Sequence, residues 1–211
     1  MTTTMSADAI HIEVASGAGT DATFPAHRWV GPLTAADEGA LAHAVGPVLD
    51  VGCGPGRHVV ALAGRGVLTL GIDITPAAIA LARHAGAPVL ERSIFDRVPG
   101  AGRWATALLL DGNVGIGGDP ALLLTRVAAL LRPGGAVLVE LEPPGAGHGA
   151  QLVRLTIDDD AGPWFRWTAV AVDEIDGVAC AAGFAVGETW SADGRWFARL
   201  RRGPTAWLRT R

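Results

Sequence analysis

VLDVGCGPGRH, residues 48–58, is a short apolar run that delivers the chain into Gly52, Cys53, Gly54, Pro55 and Gly56 just before a helical pattern begins. Positions without a side chain let a ligand approach the backbone closely, and the helix that follows offers unpaired N–H groups and the positive end of its dipole. The loop gains weight from Asp73, 21 residues after Gly52 at the end of the next apolar run. A carboxylate there can accept both hydrogen bonds of a ribose diol, the structural alternative being a cap for the helix near Pro76. Dinucleotide sites require G-x-G-x-x-G, and here the third glycine position is Arg57, so the spacing is G-x-G-x-G and a dinucleotide oxidoreductase is disfavoured.

Outward from this stretch, residues 48–141 alternate short apolar runs with helical periodicity, the pattern of parallel strands joined by crossover helices. The runs are 48–51, 66–72, 88–91, 105–110 and 135–141, and their nearly continuous apolar character suits a sheet covered on both faces. Thr75–Pro76 and Asp119–Pro120 each set an N-cap and a first-turn proline before a helix, and Thr34 with Asp37 forms a capping box for an earlier helix. Beyond residue 142 come a loop at 143–149, two alternating segments at 151–158 and 163–170, a helix ending at Gly183, and a closing hairpin over 184–190 and 195–202. Ile10, Ile12 and Val14 alternate as on a short strand within the weakly periodic residues 1–23.

The G-x-G-x-G segment resembles motif I of the class I S-adenosylmethionine-dependent methyltransferases. The resemblance extends to Asp73, to SIFDRVP at 93–99, to Asp111 and to LLRPGG at 130–135, covering roughly residues 45–142. It implies an α/β, Rossmann-like fold: a seven-stranded, mostly parallel sheet with an antiparallel last strand and helices on both faces. The implied cofactor is S-adenosylmethionine, with S-adenosylhomocysteine as product. Gly52, Cys53, Gly54 and Gly56 would line its methionine and ribose side, with Asp50 near the amino group. Asp73 would hold the ribose hydroxyls, Ile74 would pack on the adenine, Asp96 would accept from the adenine amino group, and Ile94 or Phe95 would supply a backbone N–H. The backbone at Asp111 and Gly112 would meet the methionine amino group. One domain is expected: a segment at 1–33 covering the site, a cofactor-binding core at 45–142, lid-like inserted strands at 143–172 and a closing helix and hairpin at 173–211.

Composition narrows the function. The 211 residues carry 17 arginines, no lysine and a formal charge of −4, which argues against a nucleic-acid binder, since phosphate neutralisation requires a basic face. Six arginines crowd the last 17 residues (Arg195, Arg199, Arg201, Arg202, Arg209 and Arg211), a pattern read as a solvated edge strand and tail. Two cysteines, no signal-peptide pattern and no long apolar stretch point to a cytoplasmic chain without a membrane partner, acting as a monomer or homodimer. No His, Cys or carboxylate cluster has metal-ligand spacing, so no metal is expected.

Methyl transfer from a sulfonium is an in-line displacement that positioning alone accelerates, so chemistry need not leave a motif. The candidate general bases are His148 in the loop after the fifth strand, Asp111, and His27 in the N-terminal segment. Asn113, within the glycine-rich 111–119 stretch, and Trp164 and Trp167 are candidates for holding a small-molecule acceptor. Two alternatives keep the cofactor: the same fold performing cyclisation, elimination or decarboxylation, or a non-catalytic cofactor-binding protein.

Overall fold

The computed structural model describes residues 10–14, 29, 31–157 and 160–203. Its strands are β1 (Ile10–Val14), β2 (Val48–Val51), β3 (Thr69–Asp73), β4 (Val89–Glu91), β5 (Trp104–Leu109), β6 (Leu131–Leu141), β7 (His148–Ile157), β8 (Asp160–Ala161), β9 (Phe165–Ala169), β10 (Phe184–Ala192) and β11 (Arg195–Arg202). Its α-helices are α1 (Ala35–Ala42), α2 (Arg57–Gly64), α3 (Pro76–His84), α4 (Pro120–Leu130) and α5 (Ile175–Ala181).

Every residue of β2 is buried, because helices cover both sides of the sheet it centres. The period of two then divides the core. Leu49 and Val51 pack with Leu109, Val137, Val139 and the α4 residues Leu123 and Val127, whereas Val48 joins Leu108, Leu138 and the α1 residues Ala36, Ala40 and Leu41. The sheet has seven strands in the order β10-β11-β6-β5-β2-β3-β4. β2 pairs parallel to β3 and to β5, and only β11 runs antiparallel to its neighbours β10 and β6. This is the doubly wound sheet expected from the sequence, and its order reverses at β2, where a crevice opens beyond the strands' carboxyl ends.

Local signals act as predicted at several ends. Thr34 and Asp37 form a complete capping box on α1, and Asp119 caps α4 by accepting from the Leu122 N–H at 2.9 Å. Thr75 differs: its side chain makes no cap bond, and Asp73 Oδ1 takes the Thr75 N–H at 2.8 Å instead. β3 begins at Thr69 rather than residue 66, since Gly66 turns with a φ of 73° at the end of α2 and Leu68 stays exposed. β6 begins at Leu131 rather than Gly135, because Leu131 already pairs with Trp104 before a register shift carries the strand past Arg132–Gly134.

A second, four-stranded sheet holds the segments after residue 142: β7 pairs antiparallel with β1, β8 and β9. His148 therefore lies on a strand rather than in a loop. The arginine-rich strand is also not an edge, because β11 sits between β10 and β6. Among the described residues, no helix is long and apolar enough to cross a membrane.

Candidate active site

The carboxyl ends of β2, β3, β4 and β5 frame a cavity of about 310 Å³. On its first side lie Gly52–Pro55, Asp73–Thr75 and Arg92–Phe95. Gly54 has a φ of 52°, and a Cβ added there would meet nothing within 4 Å, so the turn leaves bare backbone facing open space. Its N–H donates to Asp73 Oδ2 at 2.9 Å while Asp73 Oδ1 accepts from Thr75, so one carboxylate ties β3 to the glycine turn and holds its own orientation. Half-exposed Ile74 and Phe95 and buried Ile94 add an apolar slot beside it.

The facing side comes from elsewhere in the chain. Asn113, Ile116 and Gly117 line it from the turn after β5, Val153 from β7, Phe165 and Trp167 from β9, and Trp29 from before α1. The turn and β9 are joined by two hydrogen bonds: the Gly117 N–H donates to the Arg166 carbonyl at 3.0 Å and the Thr168 hydroxyl donates to Gly118 O at 2.8 Å. Glycine is required for this approach, because a Cβ at Gly115 would lie 2.0 Å from the Thr168 carbonyl oxygen. Asn113 staples the two sides together, its Nδ2 donating to Val51 O and Gly52 O, both at 2.9 Å.

Beneath the crevice lies a buried ionic cluster that strand parity creates. Asp50 on β2 and Glu140 on β6 point toward the α1–α2 face, where both are buried among apolar strands. Arg195 answers Glu140 with two bonds of 2.7 and 2.6 Å and reaches Asp37 Oδ1 at 2.8 Å. Arg57 bonds Asp37 Oδ2 at 2.5 Å and both oxygens of Asp111 at 2.8 and 2.9 Å. Asp111 itself has a left-handed φ of 54° and gives its N–H to Glu140 Oε2 at 2.7 Å.

This environment sets the charges. Burial opposes ionisation of Asp37, but bonds from His58, Arg57, Thr34 and Arg195 outweigh it and hold its carboxyl well below the ordinary range. Burial dominates at Asp50, and the negative charges of Asp111 and Asp73 add to it, so that its pKa is pushed up to about 6 despite His58 Nδ1 at 3.8 Å from Oδ2. Asp50 Oδ2 has no hydrogen-bond partner among the described residues. Both guanidinium pKa values are raised: burial works against the charge, and Asp111 and Asp37 around Arg57, and Glu140 and Asp37 around Arg195, prevail. Burial pushes the Cys53 thiol up, which keeps it in the neutral, unreactive form.

The structure brings Gly52, Cys53, Gly54, Asp73, Ile74, Ile94, Phe95, Asp111, Asn113 and Trp167 to the cavity. Asp50, Gly56, Asp96, Gly112, His148 and Trp164 do not line it. Asp50 is turned to the cluster; Asp96 is exposed, with its carbonyl bonded by Arg126 at 2.5 Å. His148 contacts the adjacent Gly149 carbonyl through Nδ1, and Trp164 is exposed under the Arg154 guanidinium at 4.8 Å. His27, Arg209 and Arg211 lie outside the described residues. Arg195 corrects the solvated reading of the C-terminal arginines, being 8% exposed within the cluster. Sequence reasoning missed Trp29, Arg92, Ile116 and Val153, which carry no local signal, and the clamp role of Arg57, whose signal was an arginine where a glycine is otherwise wanted.

Residues 48–135 match a family model described as a methyltransferase domain. A S-adenosylmethionine-dependent methyltransferase from Bacteroides fragilis, solved with S-adenosyl-L-homocysteine, is similar at 24% identity and a TM-score of 0.71, over 92% of this chain and 88% of that one. The Burkholderia thailandensis 1,6-didemethyltoxoflavin-N1-methyltransferase shares 20% identity (TM-score 0.59, 80% and 77% covered). An amino pentose methyltransferase from Micromonospora echinaspora also shares 20% (TM-score 0.59, 89% and 99% covered). At such identities the likeness is one of fold.

Proposed function

We propose that this chain, a member of the class I S-adenosylmethionine-dependent methyltransferase superfamily, transfers the methyl group of S-adenosylmethionine to a small-molecule acceptor. The observation that carries the reading is the bare Gly54 backbone in the turn after β2, opening into a cavity beside a carboxylate at the end of β3. Similar proteins solved with S-adenosylhomocysteine, and the methyltransferase family match over 48–135, support it.

The residues fit that cofactor. Glycine backbone accommodates a close-lying chain, Asp73 is oriented by two backbone N–H groups toward diol recognition, and Ile74 with Ile94 and Phe95 offers apolar faces for a flat base. Asp111 adds negative charge at the cavity edge, favouring a cationic amino acid moiety, and the Arg57 clamp fixes where that charge sits. When bound, the cofactor supplies an activated methyl carbon: the acceptor lone pair forms the new bond while the carbon–sulfur pair returns to sulfur, leaving a thioether. The chain contributes by orienting the two reactants and excluding water between the walls. The reading extends to a cytoplasmic enzyme working as a monomer or homodimer without a nucleic-acid partner, supported by the −4 charge and by Cys53 and Cys180 being unpaired.

Calorimetric titration with S-adenosylmethionine, S-adenosylhomocysteine and NAD tests it. Binding of the first two alone, weakened about 10- to 100-fold in Asp73→Ala, is expected from the loss of charge-assisted bonds. Absence of binding to both, or an unchanged affinity in a folded Asp73→Ala protein, overturns the assignment.

A further inference from the structure

We infer that the acceptor is a neutral, planar aromatic molecule, stacked against the Trp167–Phe165 corner; this rests on the methyltransferase reading of the site. The two sides of the cavity differ in kind. Its described ionisable side chains (Arg57, Asp73, Arg92, Asp111 and the neutral Cys53 thiol) all come from the glycine turn, the start of α2 and the ends of β3–β5. Among the described residues, the opposite wall is Ile116, Val153, Phe165 and Trp167, with Trp29 beside it, and none of these is ionisable. A charged acceptor pressed there loses hydration with no counter-charge in return.

A polyol fares no better. Among the described residues on that side Asn113 is the polar amide, and both its N–H groups are committed to Val51 and Gly52, which leaves a single acceptor oxygen for a set of hydroxyls. What the wall does offer is ring surface in a fixed geometry. Phe165 and Trp167 lie 6.0 Å apart with their planes at 64°, so a flat guest stacked on one ring meets the other edge-on, the arrangement aromatic quadrupoles favour.

The corner is also built before any guest arrives. Trp167 is 8% exposed, bridges to Ile116, and rests over Gly112, where an added Cβ would sit 3.4 Å from the indole. Together with the close Gly115–Thr168 and Gly118–Arg166 contacts, this fixes the rings, so little ordering entropy remains to be lost on binding.

The test is equilibrium binding to protein saturated with S-adenosylhomocysteine, at mildly alkaline pH. The probes are quinoline, its saturated and cationic counterpart decahydroquinoline, and the planar but anionic quinoline-2-carboxylate. Quinoline is expected to bind roughly 10-fold more tightly than either counterpart. Trp167→Leu, and independently the less buried Phe165→Leu, should erase most of that preference while S-adenosylhomocysteine affinity stays within about three-fold. Equal binding of the three probes, or a preference that survives both substitutions, overturns the inference. Failure of S-adenosylhomocysteine itself to bind overturns the underlying reading instead, and the two results are separable in one titration series.

Discussion

Two glycine-rich turns of similar composition face each other across the cavity, and they use glycine for opposite reasons. In the turn after β2, Gly54 borders open space, so the absent side chain leaves room for a guest. In the turn after β5, Gly115 and Gly118 border protein: their added Cβ atoms would lie 2.0 Å from Thr168 O and 2.7 Å from the Arg166 Cβ. Gly54 is bare toward the cavity, whereas Gly115 and Gly118 are bare so that a second sheet can dock. Glycine content alone cannot separate these roles; the partner across the gap does. The turns are also tied together, since Arg57 follows the first and clamps Asp111, which precedes the second.

The largest effect comes from cutting that tie. Arg57→Met leaves buried Asp37 with Arg195 as its one guanidinium at 2.8 Å and Asp111 with only the longer Arg195 contact at 3.4 Å, and urea denaturation should show a loss of about 3 kcal/mol. A loss below about 1 kcal/mol would mean the turns are positioned independently.

Next is Asp50, under the first turn. Its pKa is raised from 3.8 to about 6, so the folded state holds the proton more tightly, and stability falls as pH rises from about 4 to about 6 and is level above. Asp37, held low, acts in the opposite sense only as pH falls below the ordinary carboxyl range. Asp50→Asn should therefore gain up to roughly 3 kcal/mol at neutral pH and lose the slope between pH 4 and 6. Denaturation midpoints across that window check both.

Gly115→Ala is smaller, about 1–3 kcal/mol, through overpacking against Thr168. Its S-adenosylhomocysteine affinity should hold while acceptor methylation drops at least about 10-fold, because only the docked wall moves. Gly54→Ala is smallest in stability, about 1 kcal/mol for a methyl at a φ of 52° in free space. Cofactor affinity should nevertheless fall about 10-fold, as the methyl occupies ligand space. A reversed pattern between these two alanine variants would dissolve the distinction between the turns.

Much of the first wall was legible in the chain. Gly52–Gly56 and Asp73 lie within one strand–turn–helix–strand unit, where spacing and apolar period fix relative positions. The capping box of Thr34 and Asp37, the Asp119 cap and the Asp193–Gly194 hairpin, with φ values of 51° and 74°, are likewise local. The second wall was only half legible. Aromatic residues near 165 signalled a surface, yet Trp164 turned outward while Trp167, three residues on, turned in, because strand pairing with β7 decides the parity.

The ionic cluster shows the boundary most clearly. Asp50 and Glu140 stand in apolar strands, and burying a carboxylate requires a partner wherever it occurs. The doubly wound sheet and the glycine turn with Asp73 could thus be read from the chain, since each depends on residues close together in it, whereas the cluster beneath the crevice could not. Long-range packing instead sets the meeting of Arg195 with Asp37 across 158 positions, the reach of Arg57 to Asp111 across 54, and the closing of the cavity by an aromatic sheet. Those contacts depend on which strands become neighbours and which face each presents, a choice made by the packing of the whole core rather than by any stretch within it.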